Sequence, residues 1–203
     1  MSSRRPLRWA LLATAWWVLV GVAHAQQVRF ERVVDGVYAH IGELGGRSPA
    51  NQGLNANLGL VLTPAGAVLI DSGATAQSAR LIEEAVRQIS PMPVKWVINT
   101  GGQDHRWLGN GHFKAQGAQL IAHAQGQADM RNRGHDHLRA LREALGDAPG
   151  TGVSGTEPTL PERWIVGPDE RIELGGVSFE FRHRGGAHTP GDMLVWLPQQ
   201  RVL

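Results

Sequence analysis

The sequence predicts a mixed α/β domain, and three observations carry that prediction. Short apolar runs bounded by Gly and Pro alternate with helical stretches through the first half of the chain, the pattern of packed sheets and helices. A second group of strand-like segments follows a long polar loop near residue 150. Between them, the run Val94 to Ile98 ends in Asn99-Thr100-Gly101-Gly102-Gln103-Asp104-His105, where glycines turn the chain and set out a carboxylate beside an imidazole.

At the N-terminus, Arg4, Arg5 and Arg8 precede an apolar run from Trp9 through Val22, and Ala23-His24-Ala25 follows. That is the three-part layout of a secretory signal, with cleavage expected after Ala25. Residues 1–25 are therefore read as signal peptide and 26–203 as the mature domain, exported to the periplasm or secreted, with both Sec and Tat routes open. The apolar run is shorter than the roughly 20 residues of a spanning helix, so no stable membrane span is expected after cleavage. Removing the leader takes away three arginines and no acid, so 20 basic and 18 acidic residues become 17 and 18, a formal charge of -1. Without a basic stripe, nucleic acid is excluded as an electrostatic partner. Cysteine is absent, so stability must come from a packed core, which a mature chain of roughly 180 residues is long enough to form.

Within the domain, Val28 to Ile41 alternates as a strand or hairpin, and the glycine-rich stretch Gly42 to Gly53 reads as a loop able to lie over a site. Leu58 to Leu62 and Ala67 to Ile70 form a buried hairpin reversed by Thr63-Pro64-Ala65-Gly66. Asp71-Ser72-Gly73 ends it, and Thr75 caps a helix whose Leu81, Ile82, Ala85, Val86 and Ile89 share one face. Pro91 and Pro93 stop that helix before the strand Val94 to Ile98. A short helical piece around Trp107 and Leu108, a strand at Gln119 to Ala122 and a helix from Gln125 to Leu145 follow. Asp147 to Pro161 reads as a long loop. Ile172 to Leu174 and Val177 to Arg182 make a hairpin with Val177, Phe179 and Phe181 on one face. A tight loop carries His188, Met193 to Leu197 is a strand, and Arg201-Val202-Leu203 starts another.

Asp104 and His105 both suit zinc, and their adjacency at a strand end lets them reach one ion together. Set beside Gly59-Leu60-Val61-Leu62-Thr63-Pro64, Leu69-Ile70-Asp71-Ser72-Gly73 and Gly186-Ala187-His188-Thr189-Pro190-Gly191-Asp192, this stretch resembles the metallo-β-lactamase fold along nearly all of the mature sequence. The resemblance implies an αββα sandwich, a zinc-dependent hydrolase with one or two ions, and a small-molecule substrate. It assigns metal contact to Asp104, His105 and His188, with Asp104 also catalytic. The family motif His-x-His-x-Asp-His, laid on Asp104-His105, puts Thr100 and Gly102 where two histidines belong. The remaining family ligands, an aspartate and a distant histidine, would fall beyond Leu203, so a C-terminally truncated domain is expected. Asn99 through Asn110 is most similar to exported SoxH-related members associated with quinoprotein oxidation, which implies a periplasmic quinoprotein partner.

Structural alternatives sit beside each residue. In these, Asp104 serves only as a helix-capping carboxylate, His105 only as packing beside Trp107, and His188 only as a turn histidine. His135 and His137 imitate a zinc spacing but are expected to be solvated on their helix. His123 is expected to be a hydrogen-bonded, partly buried histidine, and Asp71 to orient neighbouring loops. The rivals to an enzyme are a non-catalytic accessory protein with a decayed metal site, and an unstable chain that leaves Val177, Phe179, Phe181 and Val195 exposed.

Overall fold

The computed structural model describes residues 28–203, so the signal expected over 1–25 lies outside the described residues. The chain builds two sheets. In the first, β1 (Glu31–Val34), β2 (Val37–His40), β3 (Leu58–Thr63), β4 (Gly66–Ile70), β5 (Val94–Ile98), β6 (Gln119–His123) and β7 (Arg163–Ile165) lie side by side in sequence order. Pairing is antiparallel from β1 to β4 and parallel from β4 to β7. The change occurs at β4 because a two-residue turn allows only an antiparallel return, whereas helix-containing crossovers allow parallel ones. Thr63 tightens that turn, its hydroxyl donating to the Gly66 carbonyl at 2.6 Å and accepting from the Ala65 amide at 3.2 Å.

Helices α1 (Ala76–Ile89), α2 (Asp104–Trp107), α3 (Asn110–Ala115) and α4 (Gln127–Leu145) follow the parallel strands. The Thr75 hydroxyl accepts from the Ser78 amide at 3.0 Å and Ser78 accepts from the Thr75 amide at 2.8 Å, a reciprocal cap that fixes where α1 begins. Ala79, Ile82 and Val86 of α1, with Phe113 of α3, pack on Leu60, Leu69 and Leu120 of the first sheet. Met130, Leu138, Leu141 and Leu145 of α4 close over Ala122 and Trp107.

On the opposite face lies the second sheet, ordered β10-β9-β8 from β8 (Asp169–Leu174), β9 (Val177–Arg182) and β10 (Leu194–Trp196). Phe179, Phe181, Ile172 and Val195 meet Val68, Ile98 and Ile121 across the sheet interface. Three layers, helices then sheet then sheet, are present among the described residues. The rival reading in which Phe179, Phe181 and Val195 stay exposed does not describe this structure: they are 0%, 1% and 8% exposed, because β4, β5 and β6 supply an apolar face for them to bury. Among the described residues no helix is long and apolar enough to cross a membrane.

Two segment assignments change. The loop after α4 is not simply loose, since Val153 is buried and the Thr156 hydroxyl accepts from the Ala76 amide at 2.8 Å, and it delivers β7, a strand the sequence reading lacks. At the far end, residues 198–201 form a turn with Arg201 at φ +56°, so Val202 makes only an isolated bridge to Leu197 rather than opening a strand.

Candidate functional site

The polar residues gather where β4 and β5 end. Asp71 adopts φ +64°, a left-handed conformation uncommon outside glycine, and this turns its carboxyl toward the end of β5. There it accepts from the Thr100 amide at 2.8 Å and the Thr100 hydroxyl at 2.7 Å. Burial raises the Asp71 pKa to about 6, more than the two Thr100 hydrogen bonds and the Arg106 charge can offset. The expectation that Asp71 orients the neighbouring loops therefore holds.

The loop carrying His188 docks against the same turn. The Gly102 amide donates to the Thr189 hydroxyl at 2.8 Å, and the Met193 amide donates to the Thr100 carbonyl at 2.9 Å. Asp192 knots this loop by accepting from the His188 amide at 2.7 Å and the Thr189 hydroxyl at 2.5 Å. Burial works against ionisation of Asp192, but those hydrogen bonds and the Arg106 charge together outweigh it and hold the pKa below the ordinary value. Arg106 Nη1 lies 3.6 Å from Asp192 and donates to the Thr100 hydroxyl at 3.3 Å.

Helix α2 presents the central pair. The Trp107 indole donates to the Gly102 carbonyl at 3.1 Å and is fully buried, which pins the short helix to its entry turn. Asp104 accepts from the His105 amide at 2.7 Å, and its Oδ1 lies 3.6 Å from His105 Nδ1. Arg47, from the loop after β2, reaches both: its Nη2 pairs with Asp104 Oδ1 and stands 3.1 Å from His105 Nδ1. A guanidinium has only donors, so Nδ1 accepts and the proton of the neutral ring sits on Nε2. Burial lowers the His105 pKa to about 4, with Arg47, Arg106 and His188 adding to the effect against the pull of Asp104. The ring is neutral at physiological pH.

Asp104 and His105, neighbours in sequence, share Arg47 as a partner. His188 comes near enough to act on the charge of His105, yet it is exposed, and among the described residues no three His, Cys, Asp or Glu side chains are grouped to hold a metal. His135 is exposed as expected, but His137 is not simply solvated. It turns toward α2, its Nδ1 is buried without a partner, and its pKa is lowered by burial first, with Asp104, Asp129 and two arginines close enough to act on it. His123 is buried, stacks on His183 at 3.9 Å between ring centroids and contacts the Gly167 carbonyl at 3.2 Å. Arg47, Arg106, Thr189 and Asp192 were absent from the expected site. Arg47 had a signal, since it follows Gly45-Gly46 in the loop expected to lie over the site.

Among the described residues only one side offers a metal more than a single donor, and it offers two. Asp104 and His105 offer a carboxylate and a neutral imidazole to a single cation, and a guanidinium already stands between them. Of the side that Thr100, Gly102 and His188 would form, only His188 keeps a donor. Thr100 spends its hydroxyl on Asp71, and a side chain on Gly102 would begin 2.7 Å from Asp129 Oδ2, itself buried without a hydrogen-bond partner. Beside the pair runs a cleft of about 730 Å³, apolar along Leu58, Val195 and Val202 and polar at one end through Asp71, Thr100 and His105.

Comparison with known proteins shows what the chain is similar to. The profile described as "Metallo-beta-lactamase superfamily" matches residues 51–203. The stereoselective inverting sec-alkylsulfatase Pisa1 from Pseudomonas sp. superposes with a TM-score of 0.62 at 22% identity, covering 85% of this chain and 30% of its own. A metallo-beta-lactamase from Pontibacter korlensis gives 0.61 at 20% identity, with 85% and 68% covered. The metallo-beta-lactamase IND-7 gives 0.60 at 18% identity, with 84% and 66% covered. The chain thus spans less than a third of the sulfatase and about two thirds of the lactamases.

Proposed function

This chain belongs to the metallo-beta-lactamase superfamily, and from that premise we propose that it is an exported zinc-dependent hydrolase of an ester, amide or thioester bond. Membership makes it a metal-dependent hydrolase at the level of the family; the bond, the zinc, the periplasmic or secreted location and a quinoprotein-system partner belong to the proposal. The observation that supports the reading is the Asp104–His105 pair, a carboxylate and a neutral imidazole at the end of β5 that already hold one cationic group. Zinc, when bound, supplies Lewis acidity, lowering the pKa of water toward neutrality and offsetting charge that builds on an acyl oxygen. Asp104 and His105 would hold it, with His188 the further candidate. Asp104 also orients a water for attack and takes up its proton, while Asp71 and Thr100 keep the β5 turn in register.

A second reading, a non-catalytic accessory protein, is favoured by Thr100 and Gly102, which remove two donors from the family motif. Zinc analysis and ester and thioester hydrolysis on purified protein separate the two. Bound zinc that falls on Asp104→Ala and His188→Ala but not on His135→Ala supports the hydrolase. Folded protein with no zinc and no turnover in any variant would refute it.

A further inference from the structure

We infer that Arg47 is the built-in cation of the Asp104–His105 pair, seated where a divalent metal would bind, so that metal and guanidinium compete for one place. The inference rests on the metal reading of that pair and adds a control to it. Three observations carry it. Arg47 Nη2 contacts both members at once, pairing with Asp104 Oδ1 and lying 3.1 Å from His105 Nδ1. A ligand pair spanning one cation cannot offer the same lone pairs to a second. The seat is also imperfect for arginine: its Nε is buried without a hydrogen-bond partner, so holding the side chain there carries a desolvation penalty that release removes.

The third observation is the tether. Asn51 pins the base of the loop, accepting from the Ser48 amide at 2.9 Å and the Gly53 amide at 3.0 Å and donating to the Gly46 carbonyl at 2.9 Å. Leu54 is buried behind it, whereas Gly45 and Gly46 have nothing within 4 Å of where a side chain would start and Leu44 is fully exposed. Asn51 therefore holds the backbone on both sides of Arg47, at Gly46 and Ser48, while residues 43–46 are exposed, and the arginine side chain swings from that fixed point. It can leave the pair without unfolding the loop that carries it.

Zinc titration by calorimetry, with cobalt absorption as a second readout, tests this on the mature protein. Arg47→Met keeps the aliphatic stem and removes the charge, and is expected to bind zinc at least tenfold more tightly than wild type, while Arg47→Lys stays within about threefold of it. In wild-type protein, saturating zinc is expected to speed amide exchange across residues 43–50 as the arginine leaves, a measurement that holds even if a variant fails to fold. Equal zinc affinity in wild type and Arg47→Met, or unchanged exchange in the loop, would overturn the competition and leave the metal reading standing. No zinc bound by any of the three folded proteins would sink the metal reading, and this inference with it.

Discussion

Replacing Asp71 with asparagine should change how stability depends on pH, by an amount the buried carboxyl fixes in advance. In the unfolded chain the group ionises near 3.8; in the folded protein it waits until about 6. Between those values the folded state keeps a proton that the unfolded state has released, so stability falls as pH rises from about 4 to 6 and the loss is complete above 6. At 1.36 kcal/mol per pH unit the full effect is about 3 kcal/mol, of which about 2 develops between pH 4.5 and 7.5. Asparagine keeps the shape and can still accept from the Thr100 amide, but it has no charge to bury. His105 works in the opposite direction, because its lowered pKa takes away stability as pH falls through 6.5 toward 4. His123 and His137, also lowered by burial, add to the His105 effect, so wild type alone would not isolate Asp71. The difference between wild type and Asp71→Asn cancels the His105 contribution, provided both keep the same site. Urea denaturation of both proteins at pH 4.5 and 7.5 reads it, and the asparagine variant should gain about 2 kcal/mol on wild type between the two. A gap that stays constant within about 0.5 kcal/mol would mean that Asp71 ionises in the fold much as it does in water.

Two further substitutions probe how the site is held. Gly109→Ala would place a methyl 2.1 Å from the Ser72 carbonyl, at the corner where α2 gives way to α3, so thermal unfolding should show a loss of about 3 kcal/mol or no folded protein. Asn110 is fully buried, donating to Asn99 at 2.8 Å and to the Thr159 carbonyl at 3.1 Å while accepting from Ser72 at 2.9 Å. Asn110→Ala strands those partners and should cost about 3 kcal/mol in urea unfolding, with zinc affinity retained by the fraction that folds.

How much of this was legible depended on whether a signal was local. The α1 cap, the β3–β4 reversal and the two strand ends were readable because each is set by residues within a few positions of one another. β7 was not, because Arg163-Trp164-Ile165 shows no alternation, and its only partner in the first sheet, β6, lies about 40 residues earlier. The expectation that His137 is solvated fails on helix geometry. Residues two apart on a helix point roughly 200° from each other, so His135 and His137 cannot share a solvent face once Gly134, Leu138 and Leu141 point inward. The same periodicity that dismissed the His-x-His spacing should have sent one of the two toward α2. Arg47 could be placed near the site by its loop, but its partner is 57 positions away and nothing local names it.

The charges around the β5 turn explain how the site stays folded with Thr100 and Gly102 at its centre. Asp71, Asp104, Asp129 and Asp192 converge here, and four carboxylates this close would repel one another in a poorly solvated place. In a two-metal centre the ions would neutralise them. In this chain Arg106 stands between Asp192 and Thr100, Arg133 pairs with Asp129 at 3.2 Å, Arg47 pairs with Asp104, and the Thr100 amide and hydroxyl donate to Asp71. Guanidinium charge is permanent, so this compensation does not depend on metal supply. Its consequence for zinc follows from Coulomb's law. A cation placed about 4 Å from a retained Arg47 meets roughly 4 kcal/mol of repulsion per unit of metal charge at an effective dielectric constant of about 20. Even half of that weakens binding by more than a factor of ten, so a metal gains the Asp104–His105 pair only by moving the arginine, and a variant without that charge must bind more tightly.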